Sequence, residues 1–137
     1  MKSSTIYYGI ISSGGIINFL KEIMAIDSPS GYTKEVIHHC QKEAENLGFH
    51  THQTNKGNLE IYVEGQDDYT VGFCGHVDTL GLMVRSIKSD GTLAFTNVGG
   101  PIIPTLDGEY CRIHTRSGKC YTGTILSNYP AVHVYKN

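Results

Sequence analysis

Up to Leu47 the apolar residues of this chain recur at helical spacing; beyond Gly48 they alternate, or gather in short runs between glycine turns. That change of period constrains the fold more than any other feature. A 3.6-residue repeat buries one face of a helix, whereas a two-residue repeat buries one face of a sheet. Ile16, Ile17, Phe19, Leu20, Ile23 and Met24 fall on one face of a first helix, preceded by Ser13-Gly14-Gly15. The Ser/Gly-rich residues 1–15 read as an ill-ordered arm. Asp27-Ser28-Pro29-Ser30-Gly31 ends the helix, because Pro29 disfavours helical geometry at Ser28. Thr33 is the expected N-cap of a second helix running to about Leu47, with Val36, Ile37, Cys40, Ala44 and Leu47 as its apolar face and Gly48 as its C′ residue.

The strands follow. Leu59, Ile61 and Val63 alternate with polar neighbours after the turn Asn55-Lys56-Gly57-Asn58. Thr70 to Cys74 is a denser apolar run, expected inside a sheet, reached through the polar turn Gly65 to Asp68. Two helices followed by sheet strands give an α/β layered domain. Beyond it lie Leu82-Met83-Val84, Leu93-Ala94-Phe95, Tyr110 to Ile113, Tyr121 to Leu126 and Val132 to Tyr135. These are short strands separated by Ser89-Asp90-Gly91, Gly99-Gly100-Pro101, Asp107-Gly108 and Ser117-Gly118-Lys119, a pattern that predicts a small antiparallel sheet or barrel. The expected division is residues 1–79 for the α/β portion and 80–137 for the β-rich portion.

With 137 residues and a formal net charge of −2, the chain has room for an ordinary core. It carries no basic stripe to attract nucleic acid or an anionic membrane. No apolar run reaches the roughly 20 residues that span a bilayer, and the N-terminal run Ile6 to Ile11 is too interrupted for a signal peptide. Cys40, Cys74, Cys111 and Cys120 form no C-x-x-C pair. They read as reduced and mostly packed, with Cys111–Cys120 pairing across a hairpin as the less favoured alternative and the cytoplasm as the expected compartment.

Chemistry concentrates at Gly75-His76-Val77-Asp78, after the Thr70–Cys74 run. On a strand, His76 and Asp78 point to the same side, so a carboxylate can orient an imidazole that is suited to a divalent metal. Taken in isolation, such a pair is more simply a hydrogen-bonded surface contact. Its setting decides otherwise. Ser28-Pro29-Ser30-Gly31-Tyr32, Gly57-Asn58-Leu59, Gly75-His76-Val77-Asp78-Thr79-Leu80-Gly81, Gly99-Gly100 and Gly118-Lys119-Cys120-Tyr121-Thr122-Gly123 stand in a fixed order along the chain. Together they resemble the N-terminal part of the glutamyl and deblocking aminopeptidases, the TET-type family, some of whose members are labelled endoglucanase-like. The likeness runs from about residue 16 to the end.

The resemblance implies a layered α/β peptidase domain whose N-terminal part occupies residues 1–79. It also implies a partial antiparallel β-barrel insert, used for homo-oligomeric assembly, over residues 80–137. His76 matches the family's first metal-ligand histidine, and Asp78 its catalytic-support aspartate. Many relatives place Glu where this chain has Thr79. The implied activity is hydrolysis at the free N-terminus of peptide substrates, with water activated by two divalent metal ions, Zn²⁺ or Co²⁺, and a carboxylate base. The family's adjacent Glu-Glu pair is absent here, and its remaining ligands are expected beyond Asn137. The chain alone is therefore expected to be inactive.

Two other functions compete. A non-catalytic module could assemble through unpaired β edges in residues 80–137. A glycoside hydrolase would need two suitably separated carboxylates, and no such pair is marked. The other histidines have plainer readings: His38 and His39 at the solvent face or core edge of the second helix, His50 and His52 on a surface strand, His114 as a strand residue, and His133 as structural. Cys74, though adjacent to the site, reads as a packed strand thiol, and Gly99-Gly100 as a turn with no helix after it.

Overall fold

The computed structural model describes residues 13–66 and 68–127. It divides into two compact units, Met1–Gly99 and Gly100–Asn137. The first unit holds helices α1 (Ser13–Ala25) and α2 (Lys34–Asn46) and strands β1 (His50–Gln53), β2 (Leu59–Tyr62), β3 (Gly81–Ile87) and β4 (Leu93–Val98). The second holds a 3-10 helix at Ile103–Leu106 and strands β5 (Tyr110–His114) and β6 (Cys120–Thr124). β3 and β4, which the sequence pattern assigns to the β-rich portion, thus lie in the first unit. No helix among the described residues is long and apolar enough to cross a membrane.

Both helices form where the apolar period places them, although α1 begins at Ser13 and takes in Gly14 and Gly15. Thr33 stands at the N-cap of α2 without a side-chain capping bond. The other end is closed by local geometry: Gly48 adopts φ +86°, its N–H donates to the Glu45 carbonyl at 2.9 Å, and the Phe49 N–H donates to the Ala44 carbonyl at 3.0 Å. These are the paired bonds of a Schellman motif, and they turn the chain into β1.

Helix α2 packs against α1, β1 and β2. Its Val36 is fully buried, with Ala44 also buried on the same face. Two surface networks tie it to its neighbours. The His39 ring stacks on Phe19 of α1 at 5.8 Å and meets the Glu22 carboxylate at 3.2 Å. Glu45 accepts from Gln41 at 2.9 Å and from the Thr51 hydroxyl of β1 at 2.7 Å, and these two bonds hold its carboxyl below the usual range. His39 is thus a core-edge residue. His52 and Glu60 are directly opposite on β1 and β2 and meet at 2.9 Å, an ordinary cross-strand surface pair.

The strands form three separate two-stranded antiparallel ladders, β1–β2, β3–β4 and β5–β6. The described strands therefore build hairpins, and no ladder joins them into a layered sheet or a barrel. The reason is that alternation specifies a hairpin locally, whereas closure needs partners distant in sequence. The Thr70–Cys74 run shows the same limit. It has no regular secondary structure and pairs with no described strand, and Phe73 is 96% exposed. An interior strand needs neighbours on both edges, so the expected strand is not formed.

The turns behave as the glycines indicate. Gly91 and Gly118 adopt φ +84° and +80° in the β3–β4 and β5–β6 connections. After Gly99-Gly100 a 3-10 turn does follow, four residues long with Pro104 inside it. The Val132–Tyr135 strand candidate and His133 lie outside the described residues.

All four cysteines are free. Cys111 faces Gly123 and Cys120 faces His114 in the β5–β6 register, so the two thiols are not opposite one another. Cys40 and Cys111 are half-buried, whereas Cys74 and Cys120 are exposed. The packed reading of Cys74 is corrected with that of its strand: among the described residues the run has no neighbouring strand, and the thiol is exposed. Burial pushes the Cys40 thiol up from its ordinary pKa. Iodoacetamide at neutral pH should therefore label Cys74 and Cys120 well before Cys40, because the thiolate is the reacting species. Peptide mass spectrometry of a labelling time course checks this order; Cys40 reacting first would contradict it.

Candidate functional site

The site is made by two segments far apart in sequence. Ser28 is fully buried, and its hydroxyl donates to the Val77 carbonyl at 3.0 Å across 49 residues. The Thr79 N–H donates to the Ser28 carbonyl at 2.9 Å, and Pro29 forms a parallel bridge with Thr79. Gly31 then turns the chain at φ +88°, and the Tyr32 N–H closes the turn on the Pro29 carbonyl at 2.7 Å. This Ser28–Gly31 strap lies against residues 77–81 so closely that a Cβ on Gly81 would stand 2.6 Å from the Pro29 Cβ. The glycine at 81 is therefore a requirement of close approach.

On this support His76 and Asp78 meet as their spacing predicts, although the segment between them is not in a ladder. His76 Nδ1 lies 3.1 Å from Asp78 Oδ1 and 3.2 Å from the Asp78 carbonyl oxygen. Both neighbours only accept hydrogen bonds, which assigns the proton of the neutral ring to Nδ1 and leaves Nε2 bare. The His76 side chain is 84% exposed and Asp78 39%. The other carboxylate oxygen, Oδ2, accepts a hydrogen bond from the Ser30 hydroxyl. The Ser30 hydroxyl, above all, and the His76 ring hold the Asp78 carboxyl below the usual aspartate range. With the folded value depressed, the ionised contact is complete above the ordinary aspartate pKa of about 3.9 and is lost only as pH falls through the lower one. Following the Asp78 side-chain carbonyl by NMR should give a midpoint below that ordinary value, and Ser30→Ala should move it upward.

The donor set fits one position around a divalent cation: an exposed imidazole, deprotonated at Nε2 and oriented through Nδ1 by a carboxylate. It fits one position only. Among the described residues no group of three or more His, Cys, Asp or Glu comes together to hold a metal. Thr79 contributes its backbone N–H to the strap, which is how the site uses that position. Sequence reasoning singled out His76 and Asp78 but missed Ser28 and Ser30. The signal that was available is Ser-Pro-Ser-Gly itself, read there as a helix stop and as one motif of the family resemblance, with no role at the site given to either serine.

Comparison with known proteins sharpens this geometry. The sequence profile of the M42 glutamyl aminopeptidase family matches residues 57–137. The chain belongs to that family. The putative aminopeptidase YhfE of Bacillus subtilis (strain 168) is 42% identical to it over 122 residues, which cover 88% of this chain and 35% of that protein. A TET aminopeptidase from the marine sediment archaeon Thaumarchaeota archaeon SCGC AB-539-E09 superposes with a TM-score of 0.75 at 28% identity, covering 82% of this chain and 31% of that one. The Pyrococcus horikoshii TET1 peptidase, which can assemble into a tetrahedron or a large octahedral shell, superposes with a TM-score of 0.72 at 26% identity, covering 89% and 36%. The chain thus spans about a third of the length of these relatives. Its mixed helix and antiparallel-strand arrangement is the one found in the corresponding third of the TET aminopeptidases.

Proposed function

We propose that this chain is the N-terminal portion of a metal-dependent aminopeptidase, and that His76 and Asp78 form one corner of its two-metal centre. The observation that carries the reading is the pairing of His76 Nδ1 with Asp78 at 3.1 Å. It turns a bare, exposed Nε2 toward solvent in a chain of the M42 family. Divalent ions bound there, Zn²⁺ or Co²⁺, would polarise the scissile carbonyl and acidify water. The chain's own residues do the rest. His76 supplies one nitrogen ligand through Nε2, Asp78 retains the Nδ1 proton and fixes the ring plane, and the strap holds Asp78 in place. The substrates are peptides with a free N-terminus, and the compartment is the cytoplasm.

The remaining ligands and the general base belong to sequence outside this chain. Aminoacyl-p-nitroanilide assays with added Zn²⁺ or Co²⁺ should accordingly show turnover by an enzyme containing this segment, and none by the 137 residues alone. Metal-dependent turnover by the isolated chain would overturn the one-corner reading.

A second reading keeps the fold and drops the chemistry: residues 80–137, as part of a β-barrel insert, serve homo-oligomeric assembly. It is favoured by ladders that remain two-stranded and by large apolar side chains left exposed on them, Met83, Ile87 and Tyr121 among others. Light scattering coupled to size exclusion tests it, a monomer at high concentration being the adverse result.

A further inference from the structure

We infer that Ser30 is a positioning residue for the His76 tautomer, acting through Asp78; this rests on the reading of His76 as a ligand. A carboxylate has two oxygens and one rotatable bond to carry both. In this site each oxygen has a different partner: Oδ2 takes the Ser30 hydroxyl, and Oδ1 faces His76 Nδ1 at 3.1 Å. Fixing Oδ2 therefore aims Oδ1. Without the hydroxyl, the Asp78 side chain is free to rotate toward water, since it is more than a third exposed.

Ser30 can do this because its own backbone is held. The buried Ser28 hydroxyl grips the Val77 carbonyl at 3.0 Å, and the Pro29–Thr79 bridge sets the strap alongside the site. Gly31, at φ +88°, turns the chain directly after Ser30. The hydroxyl thus reaches Asp78 from a segment 48 residues away. The chain of contacts Ser30–Asp78–His76 leaves Nε2 unprotonated and available, which is the form a divalent cation requires.

The test reads the tautomer directly, in the full chain and without metal or substrate. Side-chain ¹⁵N shifts of His76 are recorded near pH 8.5, above the ordinary imidazole pKa of about 6.5. The unsubstituted chain should hold the Nδ1–H form in excess. Ser30→Ala should lower the ratio of Nδ1–H to Nε2–H by about fivefold, the size of effect expected for one hydrogen bond. Ser30→Thr, which keeps the hydroxyl, should restore it. Circular dichroism of both variants separates this effect from unfolding. An unchanged ratio in a folded Ser30→Ala variant overturns the inference, as does a folded Ser30→Thr variant with a collapsed ratio. If the alanine variant unfolds, the threonine variant decides alone. The aminopeptidase reading fails separately: a His76→Ala enzyme with full activity would sink it while leaving the tautomer result standing.

Discussion

Replacing His76 with alanine should lower divalent-metal affinity, and peptide turnover with it, in the enzyme that contains this chain, by more than the roughly 10–100-fold that loss of an outer partner costs. The expectation follows from the asymmetry of the pair. His76 presents the bare nitrogen, and Asp78 acts on it from the far side of the ring. Asp78→Ala should fall within that 10–100-fold range, because the imidazole persists but its ring is no longer oriented. Calorimetric titration of the chelator-stripped enzyme with Zn²⁺ or Co²⁺, alongside p-nitroanilide kinetics, measures both variants. Equal losses for the two, or a larger loss for Asp78→Ala, would assign Asp78 a direct part in the chemistry and demote His76.

The second large effect is expected at a residue with no side chain. Gly81→Val would place a Cβ 2.6 Å from the Pro29 Cβ, and neither carbon belongs to a flexible side-chain end that could swing away. One of the two segments must move. Overpacking of this kind costs about 1–3 kcal/mol, which should appear as a lower denaturation midpoint in urea. A strap pushed off residues 77–81 also takes Ser30 away from Asp78, so the variant should show the disordered His76 tautomer as well. A Gly81→Val chain with wild-type stability and tautomer would mean that the close approach does not hold the site together.

What was legible in the sequence was what is decided locally. The helical period placed α1 and α2, Gly48 closed the second helix, and the turn at Asn55–Asn58 set the β1–β2 hairpin. His-x-Asp spacing brought the imidazole and carboxylate together even without a ladder to enforce it. The failures share a different character. Thr70–Cys74 looks like a buried strand because Val71 and Phe73 are apolar, yet pairing depends on strands the run cannot specify by itself. Cys74 was misplaced with it. Ser28 and Ser30 read as helix-stop and motif residues with no place at the site, because their partners, Val77 and Asp78, stand 49 and 48 residues further on. No local pattern encodes such a contact; the glycine at 81 marks it only once Pro29 is known to lie against it.

The strap also closes a loop of about fifty residues around α2 and the β1–β2 hairpin. The entropy of closing a flexible loop grows only with the logarithm of its length, about 0.6 kcal/mol for each doubling. Much of this loop is already folded, so extra residues in the exposed stretch between β2 and Gly75 would lengthen it only modestly. The His76–Asp78 corner is thus buffered against insertions and deletions there, since its geometry is fixed at the two ends of the loop and not by the path between them.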